Sequence, residues 1–171
     1  MSTPTFYDCV PGPLGTMWLV TDREAMTGLY FEGQKHMPAF AAERQACDDV
    51  PVLRAARAQL AAYFAGELRR FDLPLAPAGT AFQRAVWSAI GAVPYGETIA
   101  YRELAARAGY PASVRAVGAA VGRNPLSIVI PCHRIIGADG SLTGYAGGLD
   151  RKRALLALEA AAGRRGLAQA A

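Results

Sequence analysis

Between Asp72 and Gly79 the chain reads Asp-Leu-Pro-Leu-Ala-Pro-Ala-Gly, a stretch that no helix and no central strand can cross. Each proline fixes φ and removes a backbone donor, and the closing glycine favours a turn. The chain is therefore expected to fold as two parts, residues 1–78 and 79–171. The charges divide at the same place. Residues 1–78 carry 7 Lys+Arg against 9 Asp+Glu, a net of −2, whereas residues 79–171 carry 11 against 5, a net of +6, almost all of it arginine. One part reads as a scaffold and the other as an anion binder. A basic, solvated surface would give the same count.

Composition then excludes several classes. With 171 residues, 52% hydrophobic and 19% charged, the chain can bury a core and is neither disordered throughout nor fibrous. No apolar run approaches the ~18 residues of a membrane span. The start, MSTPTFYDCVPGPLG, lacks the basic-then-apolar order of a secretion signal. A cytoplasmic protein with no membrane partner is expected. Cys9, Cys47 and Cys132 are odd in number and widely spaced, which suits a reducing compartment. With His36 and His133 they offer no CxxC or HxxxH pair, so a metal site is not expected.

In the first part, Met17–Thr21 and Gly28–Phe31 are short apolar and aromatic runs separated by Asp22-Arg-Glu24, which predicts strand, turn, strand. From Val52 to Ala65, Leu53, Ala56, Leu60 and Phe64 recur at helical spacing, so one amphipathic helix should cover the sheet. His36 reads as an exposed loop histidine. In the second part Thr80-x-x-Gln83 is a capping-box pattern opening a helix from Ala81 to Ile90. A second helix runs from Tyr101 to Ala108, closed by Gly109, and Pro111 opens a third with Val114, Val117 and Val121 as its buried stripe. Two short helices across a glycine turn form a helix-turn-helix. The third helix presents mostly alanine and glycine, with Arg115 as its long side chain. Such a surface suits close approach to a minor groove with one inserted side chain, or equally tight packing on another helix.

The chemistry concentrates further on. Ser127–Ile130 reads as a buried strand leading into Pro131-Cys-His-Arg-Ile-Ile-Gly137. A lone thiol there could be a small buried hydrophobe, but His133 and Arg134 beside Cys132 would favour the nucleophilic thiolate. In extended backbone adjacent side chains point apart, so a kink at Pro131 or a bridging water is needed for the two to communicate. On the last helix, Arg151 to Ala161, Leu155, Leu156 and Leu158 face inward and Glu159 lies near the same side. Glu159 could orient His133 in a Cys132, His133, Glu159 relay, or pair at the surface with Arg153 or another basic neighbour.

PCHRIIG followed by GYAGG, and preceded by YRELA, ASVRAVG and GRNP, resembles the 6-O-alkylguanine-DNA alkyltransferase family of suicide repair proteins, continuously from Thr80 to Glu159. The segment Tyr30–Pro38 resembles bacterial, single-function members. The resemblance implies an α+β fold, with a small ribonuclease-H-like sheet-and-helix domain at residues 1–78 and a winged-helix DNA-binding, alkyl-accepting domain at 79–171. It implies irreversible transfer of methyl or larger alkyl groups from guanine, and possibly thymine, in duplex DNA to Cys132, without a cofactor, by a protein that is a monomer when not bound to DNA. Carried over by position, His133 is the base that reaches the thiol through a water, Glu159 orients it, and Asn124 braces the site. Tyr101 helps rotate the nucleotide out and donates to the leaving guanine. Tyr145 forms a wall of the pocket, and backbone groups near Ile135 and Ala146 read the base edge. Arg115 fills the gap in the duplex, and Ala116, Gly118, Ala119 and Arg123 lie against the DNA.

The sequence departs from the family pattern at Ala100, where Ser or Thr usually caps the helix, a difference of about 1 kcal/mol. It departs again at Ser127, where some members have proline. The length leaves no space for the metal-binding, phosphotriester-accepting domain of bifunctional relatives. Two other functions fit part of the pattern: a lesion sensor or regulator that binds DNA without transfer, and a cysteine hydrolase using Cys132 and His133 on a substrate other than DNA.

Overall fold

A computed structural model describes residues 6–38 and 50–169, so Cys47 lies outside the described residues. The chain is mixed α+β and forms two compact units. One comprises residues 1–78 with 125–127, the other 79–124 with 128–171.

In the first unit β1 (Phe6–Val10), β2 (Met17–Thr21) and β3 (Met26–Phe31) form an antiparallel sheet in that order. The turn between β2 and β3 is fixed by side chains. Asp22 Oδ1 accepts from the Glu24 and Ala25 amides at 3.0 and 2.8 Å, and Thr21 Oγ1 donates to the Ala25 carbonyl at 2.7 Å. Strand β3 begins before Gly28, and β1 is not legible in the sequence, because FYDCV carries a charge at its centre and exposes Cys9. One sheet face holds Met17, Leu19, Leu29 and Phe31, all buried. Helix α1 (Pro51–Phe64) packs on β2 through its apolar stripe, and its Arg57 pairs with Asp8 on β1. The buried stripe is Val52, Leu53, Ala56, Leu60 and Tyr63. Tyr63, three residues after Leu60, takes the place expected for Phe64, which is half-buried and edge-on to Tyr63. Steps of three and four both satisfy a 3.6-residue period. His36 is exposed in its loop.

The outer edge of β3 is not left open. Leu75 bridges to Met26, and Leu126 bridges to Leu29, with the Leu29 amide on the Pro125 carbonyl at 2.8 Å and the Ser127 amide on the Leu29 carbonyl at 2.9 Å. Ser127 also donates through its hydroxyl to Gln34 Oε1 at 3.1 Å. The run Ser127–Ile130 is therefore not a strand. After one bridge the chain turns, with Ile128 at φ 70°, a conformation that costs a β-branched residue about 1–3 kcal/mol. Leu126, Ile128 and Ile130 are buried, and that burial, not pairing, makes the run apolar.

The second unit contains α2 (Ala81–Gly91), β4 (Ile99–Ala100), α3 (Tyr101–Arg107), α4 (Val114–Gly122), β5 (Ile135–Ile136) and α5 (Leu149–Gln169). Helix α2 opens with the expected capping box between Thr80 and Gln83. Helix α3 closes in a Schellman arrangement, with the Tyr110 amide on the Ala105 carbonyl at 2.8 Å, the Gly109 amide on Ala106 at 3.1 Å, and Gly109 at φ 86°. Pro111 does not open α4. It lies in a turn closed by the Ser113 amide on the Tyr110 carbonyl at 2.9 Å, and the helix starts at Val114. Val117, Ala120 and Val121 form its buried stripe, while Val114 is half-buried. The indole of Trp87 on α2 donates to the Ala120 carbonyl at 2.9 Å and ties α2 to α4. Helix α5 begins before Arg151 and runs past Ala161, and of the leucines expected to face inward Leu155 is buried while Leu156 and Leu158 are half-buried. Among the described residues no helix is long and apolar enough to cross a membrane.

Candidate active site

The second unit brings four segments to one place. Strands β4 and β5 pair in parallel, Ile99 with Ile135 and Ala100 with Ile136. This pairing sets the start of α3, and so Tyr101, beside the segment that ends in Ile135. Just before β5 the backbone makes a tight 3-10 turn over Cys132–Arg134. The turn answers the problem of adjacent side chains pointing apart, since a helical turn separates successive side chains by about a third of a revolution instead of half.

Cys132 is buried, 4% exposed, at the start of that turn. The Asn124 amide donates from Nδ2 to the Ile130 carbonyl at 2.8 Å and to Cys132 Sγ at 3.1 Å. Burial pushes the thiol pKa up, so the resting group is protonated, whereas the Asn124 hydrogen bond and the Lys152 charge act in the opposite sense. These are groups that favour the thiolate once a base removes the proton.

His133 and Glu159 are both fully buried, with Nε2 and Oε1 2.7 Å apart. Glu159 therefore does not pair with Arg153, which bonds Asp150 at 2.9 Å. Arg134 grips the same carboxylate twice, Nε to Oε2 at 3.0 Å and Nη2 to Oε1 at 2.9 Å, and the Gly96 amide adds a bond to Oε2 at 3.0 Å. Burial alone would raise the Glu159 pKa. The hydrogen bonds and charges of His133 and Arg134 outweigh it and hold the carboxyl at about 2. Burial moves His133 the other way from its ordinary value, downward, so the imidazole is neutral. An ionised carboxylate must accept, which places the imidazole proton on Nε2 and leaves the Nδ1 lone pair to act as a base.

The remaining residues expected at the site fall into two groups. Tyr101, half-buried, donates its hydroxyl to the Thr143 carbonyl at 3.2 Å, and burial raises its pKa, so it stays a phenol. Tyr145 and Ala146 are half-buried in the loop entering α5. Ile135 is fully buried, its amide on the Cys132 carbonyl and its carbonyl on Lys152 Nζ. On α4, Arg115, Ala116 and Ala119 share the exposed face, Arg123 is exposed just past its C-terminus, and Gly118 is half-buried with the Tyr101 ring 3.9 Å from where its Cβ would stand. No three His, Cys, Asp or Glu side chains among the described residues gather as metal ligands would.

Two buried cations have partners that no local pattern gives. Arg134, expected to favour the Cys132 thiolate, instead grips Glu159, 25 residues further along the chain. Lys152 is completely buried, and a signal for it exists: Lys152, Leu155, Glu159 and Ala162 fall at helical spacing on the one buried stripe of α5.

The fold and site together define a class: a protein with a helix-turn-helix whose own buried cysteine stands ready as a nucleophilic acceptor, beside a neutral histidine oriented by a carboxylate. Comparison with known proteins narrows it. The 6-O-methylguanine DNA methyltransferase DNA-binding domain matches residues 81–161, and the ribonuclease-like domain of the same proteins matches residues 5–77. A methylated-DNA–protein-cysteine methyltransferase of Haemophilus influenzae is 46% identical over 92% of this chain and 87% of its own. One from Methanosarcina barkeri is 48% identical over 90% and 96%. The Mycobacterium tuberculosis OGT solved in complex with DNA is 44% identical, with a TM-score of 0.83 over 92% of this chain and 94% of that one. The chain belongs to the methylated-DNA–protein-cysteine methyltransferase family.

Proposed function

We infer that this protein repairs DNA by direct reversal, acting once in the cytoplasm as a methylated-DNA–protein-cysteine S-methyltransferase. Its substrate is duplex DNA bearing 6-O-alkylguanine, approached from the minor groove through the exposed face of α4. A target atom inside a duplex is out of reach, so the nucleotide is extruded, with Arg115 filling the space it leaves. Residues 79–171 carry the DNA contacts and the acceptor, and residues 1–78 serve as scaffold.

In the displacement His133 Nδ1 takes the Cys132 proton through a bridging water. The thiolate attacks the alkyl carbon, a carbon–sulfur bond forms, and the bond between that carbon and guanine oxygen breaks with its electron pair leaving on the base. Tyr101 donates to the base as this charge develops. The anion on the base takes up one proton, balancing the one that His133 removed from Cys132, so the products are unmodified guanine and a stable thioether on Cys132, and one protein removes one lesion.

The observation that carries this reading is the Asn124 amide 3.1 Å from Cys132 Sγ, beside a His133–Glu159 pair 2.7 Å apart. The test is the intact mass of the protein after incubation with excess duplex containing methylated guanine, with Cys132→Ser as control. One added methyl, mapped to Cys132 and absent from the control, is expected. Lesion-dependent binding with no mass change would instead make the protein a sensor, and repeated turnover on a substrate other than DNA would make it a hydrolase.

A further inference from the structure

Lys152 is completely buried, yet the reaction just described gives it no part. Its ammonium donates to the Ile135 carbonyl at 2.5 Å and to the Thr143 carbonyl at 3.1 Å. The Thr143 carbonyl is also the acceptor of the Tyr101 hydroxyl, at 3.2 Å. Two donors from different helices thus share one backbone oxygen, which its two lone pairs allow.

The sharing matters because Tyr101 cannot serve two acceptors. To donate to a base entering the site, the phenol must let go of Thr143. Thr143 is exposed, so losing that donor becomes costly once a base covers the carbonyl and keeps water from replacing the phenol. With Lys152 in place the oxygen keeps a charged donor, so the exchange strands nothing. The loop holding Thr143 also stays tied to β5 through the same ammonium.

We propose that Lys152 is a positioning residue for alkyl transfer: by holding the Thr143 carbonyl, it allows the Tyr101 hydroxyl to pass from that oxygen to the extruded base. The inference rests on the reading of Tyr101 as donor to the leaving guanine. Lys152 acts through Thr143 and does not touch the substrate. Burial lowers the ammonium pKa and a nearby Cys132 thiolate raises it, so charge on the lysine is favoured most when the nucleophile is formed.

The test is a double-mutant cycle read by single-turnover transfer at saturating methylated duplex, with DNA affinity measured separately. Lys152→Met and Tyr101→Phe are each expected to slow transfer tenfold or more. The double variant should be no slower than the slower single within about twofold, and Lys152→Met should keep its DNA affinity within about threefold. Multiplicative losses, or wild-type transfer by Lys152→Met, would overturn the proposal. If Lys152→Met does not fold, the Lys152 ammonium is followed by NMR in the Cys132→Ser protein. It should remain hydrogen-bonded when methylated duplex binds while the Tyr101 ring signal shifts, and loss of the ammonium signal on binding would overturn the proposal. Wild-type protein runs in parallel: no transfer there removes the functional reading itself, whereas transfer with a multiplicative cycle removes only the role of Lys152.

Discussion

Arg134 and Glu159 meet in a two-pronged pair, 3.0 and 2.9 Å, with the carboxylate wholly shielded from water. The arginine thereby neutralises Glu159 without any proton being placed on His133. A histidine facing a buried lone carboxylate would tend to become imidazolium, which cannot accept a proton from the thiol. Arg134 also donates from Nη1 to the Val93 carbonyl at 2.6 Å, so the guanidinium is anchored independently of the histidine.

Arg134→Met is therefore expected to act twice. Breaking a buried pair from one side costs about 3–5 kcal/mol, read as a lower urea midpoint. Transfer should fall at least tenfold at neutral pH and recover partly at higher pH, as the histidine loses the proton it has gained. An unchanged pH profile would show that the arginine serves stability alone.

The same carboxylate sets an acid limit on the fold. Its pKa is about 2 in the folded protein against an ordinary 4.5, so the unfolded chain binds the proton more readily. The contribution, about 3 kcal/mol, is complete above pH 4.5 and is lost as pH falls from there towards 2. His133 adds to the slope from higher pH. Its folded pKa lies below the ordinary 6.5, and the unfolded chain takes up that proton as pH falls through 6.5. Denaturant midpoints between pH 7 and 3 should fall throughout, and Glu159→Gln should flatten the part below 4.5 while lowering the whole curve.

The His133–Glu159 pair is legible in the sequence because Glu159 sits on an inward helical stripe, and Cys132 is next to the histidine in the chain. The charges packed around the pair are not legible in the same way. Arg134 and Lys152 are buried against a carboxylate and two carbonyls that come together only in three dimensions. A similar limit applies to Ser127–Ile130, where apolar composition marks burial but cannot separate a strand from a turn with Ile128 at φ 70°. Caps and glycine turns, such as Thr80 with Gln83 and Gly109, depend on neighbours in the chain, so local pattern suffices to place them.

Ala100 offers a gain of stability. It stands in extended backbone, φ −76° and ψ 153°, at the N-cap of α3 and makes no side-chain cap bond. Ala100→Thr should supply an oxygen to the first turn and stabilise the protein by about 0.5–1 kcal/mol, seen as a higher melting temperature. Transfer should be unchanged, since Tyr101 keeps its place. A loss of stability would mean that the half-buried site beside Ile136 has no space for the branched side chain.

Gly118 separates two effects of size. A Cβ there would lie 3.9 Å from Cδ1 and Cε1 of Tyr101, ordinary contact, so Gly118→Ala should fit and stabilise α4 by about 0.5–1 kcal/mol. Gly118→Leu would carry further carbons towards the ring. Transfer by that variant should drop several-fold as the tyrosine is displaced, and the two variants compared by melting temperature and single-turnover rate decide the point.

Arg115 on the exposed face of α4 and Arg123 just past its end have different expected signatures. Among the described residues no ion pair holds the side chain of either, so both can meet DNA. If Arg123 contacts a phosphate, Arg123→Ala should weaken binding to all duplexes alike and reduce the slope of log affinity against log salt by about 1. Arg115, if it fills the gap in the duplex as proposed, should behave otherwise. Arg115→Ala is expected to slow transfer from a well-paired methylated guanine more than from the same lesion opposite a mismatch, where extrusion is easier. Equal slowing on both substrates would assign Arg115 to the phosphate backbone instead of to the space left by the base.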